Sequence, residues 1–255
     1  MTKKLIYSLS VIVATAVVVV GATTAFFNDT ETSTGNTFTA GAIDLTVDSL
    51  GSWYNGEQIP SSFFGATDLT NEIFFDLEDV KPGDLIERNI SLHIDNNPAW
   101  ACLLVKNKQN DELDLVDPEH EAGDNTTGIN GIGEGELGSS LHLLGWIDKN
   151  ANQKLDGTEA PFVDSFFDVF TEIALHDSTT GNGSLSPEIP IELLQLDLCG
   201  GTPIVAGDGT VTCNGSSMGD QSQTDKLTAD LQLYVEQVRN NPNFKCSDLG
   251  GESPL

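Results

Sequence analysis

The feature that most constrains the fold is the alternation of apolar and polar residues in several short runs. Residues 43–48 alternate strictly, and residues 86–94 place four apolar side chains on one face of a longer run. A period of two residues is typical of a half-buried β-strand. Residues 99–106 and 140–147 are apolar almost throughout, which indicates strands buried on both faces. The sequence therefore predicts a mainly β protein.

Other segments complete this prediction with less regular patterns. Residues 72–79 are a weaker strand candidate, and Pro82-Gly83 marks a turn. The apolar residues Phe162, Phe166, Phe170 and Ile173 are spaced for one face of a short helix. Residues 192–199 and 210–213 favour a hairpin, whereas residues 228–238 fit either a strand or a helix.

The first 25 residues have the layout of a secretory signal peptide. Lys3 and Lys4 give a positive start, residues 5–20 form an apolar run, and small residues lead up to Ala25. This order predicts export with cleavage between Ala25 and Phe26. An uncleaved membrane anchor is the alternative, because the apolar run is slightly long for a signal peptide.

The residues around the predicted cleavage site resemble a known family. Residues 22–45 read ATTAFFNDTETSTGNTFTAGAIDL, which is similar to the pattern ATxAxFxDTETSxGNTFxAGxxDL of the TasA/camelysin family of secreted bacterial proteins. Residues 79–84 (DVKPGD) and 223–246 (QTDKLTADLQLYVEQVRNNPNFKC) also resemble that family. The resemblance implies processing by a SipW-type signal peptidase, and it favours a closing strand over a helix for residues 228–238.

No internal repeat and no linker divides the remaining chain. We therefore expect residues 26–255 to form one domain, an antiparallel, jelly-roll-like β-sandwich with loop and short helical insertions. Residues 107–139 are polar, acidic and rich in Gly, and we interpret them as a long surface insertion.

The charge of the chain is strongly acidic. It has 39 acidic and 11 basic residues, a net charge of −28. Removing Lys3 and Lys4 with the signal peptide leaves 39 acidic and 9 basic residues, so the net charge becomes −30. Such a field repels nucleic acid and anionic lipid surfaces, so we expect no nucleic-acid partner and no membrane association after cleavage. It suits divalent cations or saline surroundings, but it also serves simply to keep an exported protein soluble.

Four cysteines are present, and none forms a CxxC pair, which gives little support to zinc or redox chemistry. An even number in an exported chain favours two disulfides, for which three connectivities exist. Cys199 and Cys213 flank a Gly-rich turn, so their pairing is the simplest choice, and it leaves Cys102 with Cys246. Four buried free thiols are the alternative.

Residues 148–159 (DKNANQKLDGTE) have the spacing of an EF-hand calcium loop. Position 6 is Gln153 instead of Gly, and the flanking segments are not helical in pattern. Ca²⁺ binding is predicted, and a polar Asn-rich turn is the alternative. The candidate ligands, at positions 1, 3, 5, 7, 9 and 12, are Asp148, Asn150, Asn152, Lys154 through its carbonyl, Asp156 and Glu159.

Camelysin-type relatives are described as proteases, so the resemblance raises the question of a peptidase motif. A zinc peptidase motif HExxH would need His at position 124, where the chain has Asp124 after His120-Glu121. His93, His142 and His176 are widely separated along the chain. On this ground the sequence predicts that the chain is not an enzyme.

The resemblance implies a structural protein. We expect a secreted subunit of extracellular fibres or of a cell-surface or biofilm matrix, a homopolymer that grows head to tail. The N-terminal strand of one copy would complete the sheet of the next, with Phe26, Phe27, Phe38 and Ile43 as its apolar side chains. The alternatives are a first strand within its own domain, a monomeric calcium-stabilised surface adhesin and a camelysin-like secreted metallopeptidase.

Overall fold

The structure, a computed structural model, describes residues 28–32, 35–37, 43–60, 62–70, 72–77, 79–126, 131–188 and 192–251. These residues form two main antiparallel sheets and one separate hairpin, which confirms the predicted mainly β, antiparallel class. The jelly-roll connectivity within that class stays a prediction.

The larger sheet has seven strands. They are β3 (Asp44–Tyr54), β4 (Glu57–Gln58), β5 (Phe64–Thr67), β6 (Leu85–Asp95), β8 (Leu141–Ile147), β9 (Pro161–Phe166) and β11 (Glu192–Gly200). Their order is β4-β3-β6-β11-β8-β9, and β5 pairs with β3.

The smaller sheet has five strands. They are β1 (Asn28–Thr32), β2 (Gly35–Thr37), β7 (Ala99–Glu112), β10 (Glu172–His176) and β14 (Asp225–Gln237), in the order β10-β7-β14-β1-β2. The separate hairpin joins β12 (Thr202–Val205) to β13 (Val211–Asn214). The helices are short: α1 (Asp117–Ala122), α2 (Leu137–Ser140) and three 3₁₀ turns at Gly215–Ser217, Asp220–Ser222 and Cys246–Gly251.

The core lies between the two main sheets. The larger sheet contributes inward side chains such as Leu45, Ile90 and Leu196, and the smaller sheet contributes Leu103 and Leu233, all buried. The two-residue alternation seen in the sequence places these side chains on the inner faces. None of the helices in the described ranges has the length and apolar composition needed to cross a bilayer.

Each main sheet also buries part of its outer face under another segment of the chain. A disulfide joins each sheet to the segment that packs on it. The outward face of β7 packs against the C-terminal segment, where Cys246 is joined to Cys102 with a Cα–Cα distance of 5.7 Å. The outward face of the larger sheet meets the β12–β13 hairpin, and Cys199 is joined to Cys213 at 5.4 Å. Both pairings are those expected from the sequence.

Four local expectations differ from the structure. The helix predicted from the Phe162–Ile173 spacing is wrong, because β9 and β10 occupy that segment. The described residues of 72–79 contain no strand. β11 pairs with β6 and β8 instead of forming a hairpin with β13. The expected insertion begins later than Asn107, because β7 continues to Glu112 by pairing with β14.

Candidate functional site

The N-terminal hairpin forms one edge of the smaller sheet. β1 pairs antiparallel with β14 over five residues, from Asn28 opposite Glu236 to Thr32 opposite Gln232, and β2 pairs with the outer side of β1. The other side of β14 pairs with β7. Without β1, the main-chain groups of this part of β14 would form an open sheet edge, which is a template for strand addition.

The residues predicted to act at this edge are only partly described. Ala25 and Phe26, on either side of the predicted cleavage point, lie outside the described residues, as do Phe27 and Phe38. Ile43 is described, and it is buried in the core directly before β3. Ile43 therefore belongs to the core of its own chain in this structure.

The loop at residues 148–159 has the hydrogen bonds expected of an EF-hand-like turn. The Asp148 carboxylate accepts from the backbone N–H of Asn152 (3.1 Å) and of Gln153 (2.8 Å). Gln153 has a φ of 59°, the left-handed conformation that Gly normally provides at this position. At the other end, the Glu159 carboxylate accepts from the backbone N–H of Lys149 at 2.7 Å. The loop therefore closes on itself through its first and last acidic side chains.

The other predicted ligands of this loop form hydrogen bonds mainly with one another. Asn150 and Asn152 both direct an amide Nδ2 at Asp156 Oδ2, at 2.7 and 3.5 Å. Hydrogen bonds from the backbone N–H and the hydroxyl of Thr158, and then those from Asn150 and Asn152, lower the pKa of Asp156. The carbonyl of Lys154 accepts from Asp156 N at 3.1 Å, while its ammonium group pairs with Asp208 at 2.9 Å.

The loop is held against the outer face of the larger sheet. Leu155 donates its N–H to the carbonyl of Gly209 at 2.9 Å and packs beside the cluster of Leu144, Trp146 and Val211. Gly209 has a φ of 82°, and a Cβ added there would lie 2.8 Å from the carbonyl oxygen of Leu155. The close approach of this loop to the β12–β13 hairpin therefore requires glycine at that position.

A second acidic group, which sequence reasoning missed, lies where β7 ends and β14 begins. Glu112, Asp124 and Glu136 bring one carboxylate oxygen each within 4.8 Å of one another. Glu112 is the last residue of β7, Asp124 follows α1, and Glu136 precedes α2. In the described part of the chain, this trio is the one group of three or more acidic, His or Cys side chains that meets this distance.

Burial and mutual repulsion raise the pKa values of this group. Burial, and then the neighbouring Asp124, raise the pKa of Glu112 to about 7. Burial, and then the charges of Asp124, Asp225 and Glu119, raise the pKa of Glu136 to about 7. The pKa of Asp124 is lowered, chiefly by the hydrogen bond from the backbone N–H of Thr126. A proton on Glu112 can therefore face the Asp124 carboxylate when no cation is bound.

The histidines do not assemble into a metal site. His93 lies 2.9 Å from Asp48, His142 lies 2.7 Å from Asp164, and His176 contacts Glu192. These three lie on β6, β8 and β10 respectively, and each is paired with a carboxylate of its own neighbourhood. The donor sets in the described residues are therefore all-oxygen and fit a hard cation, not the His-containing set of zinc hydrolases.

Comparison with known proteins gives a family match over the N-terminal part of the chain. Residues 1–106 match the family model described as camelysin metallo-endopeptidase. The match agrees with the TasA/camelysin resemblance of the sequence and covers less than half of the chain, up to most of β7. No curated protein matches the chain.

The family match corrects one prediction. The prediction that the chain is not an enzyme is contradicted, because the matched family is described as a metallo-endopeptidase. That prediction depended on the absence of HExxH, which excludes only one arrangement of zinc ligands. The family description and the carboxylate trio together point to a bound metal, without specifying which ion.

Proposed function

We propose that this chain is a secreted structural subunit that polymerises by placing its N-terminal hairpin on the β14 edge of the next copy. The observation that carries this proposal is the β1–β14 pairing. Five residues at the start of the described chain, directly after the expected cleavage point, fill an edge that would otherwise be open. The same pairing made between two copies is β-augmentation.

Exchange of an identical element between copies preserves every contact of the closed subunit. The main-chain hydrogen bonds from Asn28 to Thr32 are the same whether β14 belongs to the same chain or to a neighbour. Because each copy then offers its own β14 to another, the contact is head-to-tail and propagates as a fibre. Cleavage between Ala25 and Phe26 by a SipW-type peptidase would release the hairpin and restrict growth to the cell exterior.

The length of the connection limits the geometry of such a fibre. Six residue steps separate Thr37, the end of β2, from Ile43, which is buried in its own core. A fully extended chain of that length spans about 20 Å. The β14 strand that accepts the hairpin must therefore lie close to the start of β3 in the subunit that donates the hairpin.

Cross-linking of single-cysteine additions distinguishes exchange from pairing within one chain. Thr32 and Gln232 are directly opposite in the β1–β14 register. We expect a mixture of Thr32→Cys and Gln232→Cys chains to give disulfide-linked dimers under mild oxidation, because each copy carries only one half of the pair. Non-reducing gel electrophoresis measures this.

A mixture of Thr32→Cys with Lys226→Cys is the matched control. Lys226 lies on the same strand but six residues out of register, opposite Asp111 of β7. A single chain that carries both Thr32→Cys and Gln232→Cys tests pairing within one copy. If this chain forms the disulfide internally while the Thr32/Gln232 mixture stays monomeric, the hairpin belongs to its own domain. The monomeric surface adhesin then replaces the fibre subunit.

The same proposal includes Ca²⁺ in the loop at residues 148–159. Asp148 and Glu159 already lie at the two ends of a closed turn, and Gln153 adopts the required left-handed φ. A bound Ca²⁺ would replace the amide and backbone donors that now face the carboxylates of Asp148, Asp156 and Glu159. It would also stabilise the contact of the loop with the β12–β13 hairpin.

Hydrolysis of peptide bonds is a second candidate function, favoured by the family description. We expect the full chain to release soluble fragments from labelled casein, and a chelator to abolish the release, if this chain has the activity for which the family is named. Release no faster than in a protein-free blank, with Ca²⁺, Mg²⁺ and Zn²⁺ each supplied, would reject this second function and leave the fibre proposal unaffected.

A further inference from the structure

We propose that Glu112, Asp124 and Glu136 bind a divalent cation of the Ca²⁺ class at the junction of β7 and β14, beside Asp225. This site, here called the junction site, is separate from the loop at residues 148–159. It draws its ligands from the end of β7, the turn after α1 and the start of α2, next to the first residue of β14.

The first observation is that four buried carboxylate oxygens at this junction have no hydrogen-bond donor. They are Glu112 Oε2, Asp124 Oδ2, Glu136 Oε2 and Asp225 Oδ1. Glu112 and Asp124 are 2% and 6% exposed, so water does not compensate them. A buried carboxylate without a partner is strongly unfavourable, which indicates a missing positive charge.

The second oxygen of three of these carboxylates is already fixed. Glu112 Oε1 accepts from Asp114 N at 3.0 Å, and Asp124 Oδ1 accepts from Thr126 N at 3.0 Å. Asp225 Oδ2 accepts from the backbone N–H groups of Glu136 and Leu137 at 2.6 and 2.8 Å. These bonds hold each carboxylate in place, so the unpartnered oxygens are oriented in advance.

The surroundings supply more acceptors than donors. The hydroxyl of Thr224 has a single proton, yet it lies 3.0 Å from Glu112 Oε1, 2.8 Å from the carbonyl of Asp114 and 3.2 Å from Glu119 Oε1. Glu119 is itself completely buried. None of the ion pairs found in the described residues involves these carboxylates. A proton between Glu112 and Asp124 neutralises only one of these carboxylates, and a bound cation would neutralise the others.

The spacing and chemistry fit Ca²⁺. Two oxygens bound to one Ca²⁺ at about 2.4 Å lie at most about 4.8 Å apart. Glu112, Asp124 and Glu136 meet that limit with one oxygen each. The ligands are all carboxylates, which a hard cation prefers, and Ca²⁺ accepts six to eight oxygens with irregular geometry. The Glu119 carboxylate and the Asp114 carbonyl are further oxygens in the immediate surroundings.

The site has a structural consequence for the segment between β7 and β8. That segment, residues 113–140, contains α1 and α2, and among its described residues Leu137 packs at the margin of the main core. A cation bound by Asp124 and Glu136 would attach the segment to Glu112 at the end of β7. The acidic residues of this segment, which suggested a solvated surface insertion, would then order the segment by binding the cation.

Calcium titration of the full chain tests the junction site, with the chain first treated with chelator. We expect isothermal titration calorimetry to give two equivalents of Ca²⁺, one for the loop at residues 148–159 and one for the junction site. Glu112→Gln and Glu136→Gln should each lose one equivalent, as should Asp148→Asn. The double variant Asp148→Asn/Glu112→Gln should bind none.

Glu121→Gln is the matched control, because Glu121 lies in α1 but is exposed. It should keep both equivalents. Thermal melts separate ligand loss from misfolding. In chelator, Glu112→Gln should melt no lower than the parent, because it removes an unpartnered buried charge, and Ca²⁺ should raise its Tm less than that of the parent. Unchanged stoichiometry in both Glu112→Gln and Glu136→Gln would overturn the junction site, as would complete loss of Ca²⁺ binding in Asp148→Asn alone.

Discussion

Replacing Cys102 and Cys246 together with alanine is expected to lower the free energy of unfolding by about 5 kcal/mol. The disulfide closes a loop with a sequence separation of 144 residues, and its removal returns that loop-closure entropy to the unfolded chain. The total stability of a domain is only about 5–15 kcal/mol, so this bond would account for about a third of it or more. Denaturant titration of oxidised parent and variant measures the difference.

The Cys199–Cys213 pair provides the comparison. Its separation is 14 residues, for which the same loop-entropy relation gives about 3 kcal/mol. Both cysteine pairs include fully or almost fully buried side chains, so alanine leaves a small cavity in each case. An equal loss of stability for the two pairs, or a loss below about 1 kcal/mol for Cys102/Cys246, would contradict the prediction.

Replacing Asp197 with asparagine is expected to stabilise the protein at alkaline pH, by up to about 5 kcal/mol. Asp197 lies in β11 with no exposed surface, and one oxygen accepts from Gln195 Nε2 at 2.7 Å. Its other oxygen has no partner among the described residues. Burial raises the pKa of Asp197 to about 8, and the nearby Glu87 adds to the effect.

The direction of the pH dependence follows from that raised pKa. The folded protein holds the Asp197 proton up to about pH 8, whereas the unfolded chain loses it near pH 4. The stability contributed by this group is therefore fully present below about pH 4 and is lost as the pH rises towards 8. Each unit of pKa shift corresponds to about 1.4 kcal/mol. Asparagine has nearly the same shape as aspartate, but its side chain does not titrate in this pH range.

Unfolding free energies in chelator at pH 5 and pH 8.5 measure this effect. Glu112 and Glu136 also have raised pKa values of about 7, but their contribution is common to the parent and to Asp197→Asn. Asp44→Asn, the same change at an exposed position of β3, is the control for the substitution itself. If Asp197→Asn is less stable than the parent at pH 8.5, Asp197 is ionised and paired in the folded protein.

The strands were predictable because their signal is local. The alternation around Leu45 and Ile90 depends only on which face of a strand meets the core, and β3 and β6 follow it. For β14 the local pattern also fitted a helix, and the family resemblance favoured the strand. The run before Lys106 was apolar on both faces because the inner face of β7 meets the larger sheet and its outer face meets the C-terminal segment.

The Phe162–Ile173 helix was wrong because the same spacing arises from strand, turn and strand. Pairing with β8 fixes residues 161–166 as an edge strand, and a turn then brings Ile173 into the core from β10. A four-residue recurrence of apolar side chains does not distinguish these arrangements when the segment is short. Tertiary pairing decided the outcome.

The junction site could not be predicted from local sequence. Glu112 and Asp225 are more than 100 positions apart, and they meet only because β7 and β14 pair up to their ends. In the sequence, Asp124 and Glu136 are two acidic residues among many. What distinguishes them is the loss of water around their carboxylates, which only the folded arrangement reveals. The Asp148–Glu159 loop was recognisable as a candidate because all its predicted ligands lie within twelve residues.

The Cys102–Cys246 bond makes a covalent ring of most of the chain, with the Cys199–Cys213 bond inside it. The surface segments around α1 and after β10 lie within that ring. An external protease that cuts once in either segment therefore releases no fragment, since both new ends stay joined through the disulfide. A single cut before Cys102 has the opposite result, because it frees the N-terminal hairpin from covalent attachment to the ring.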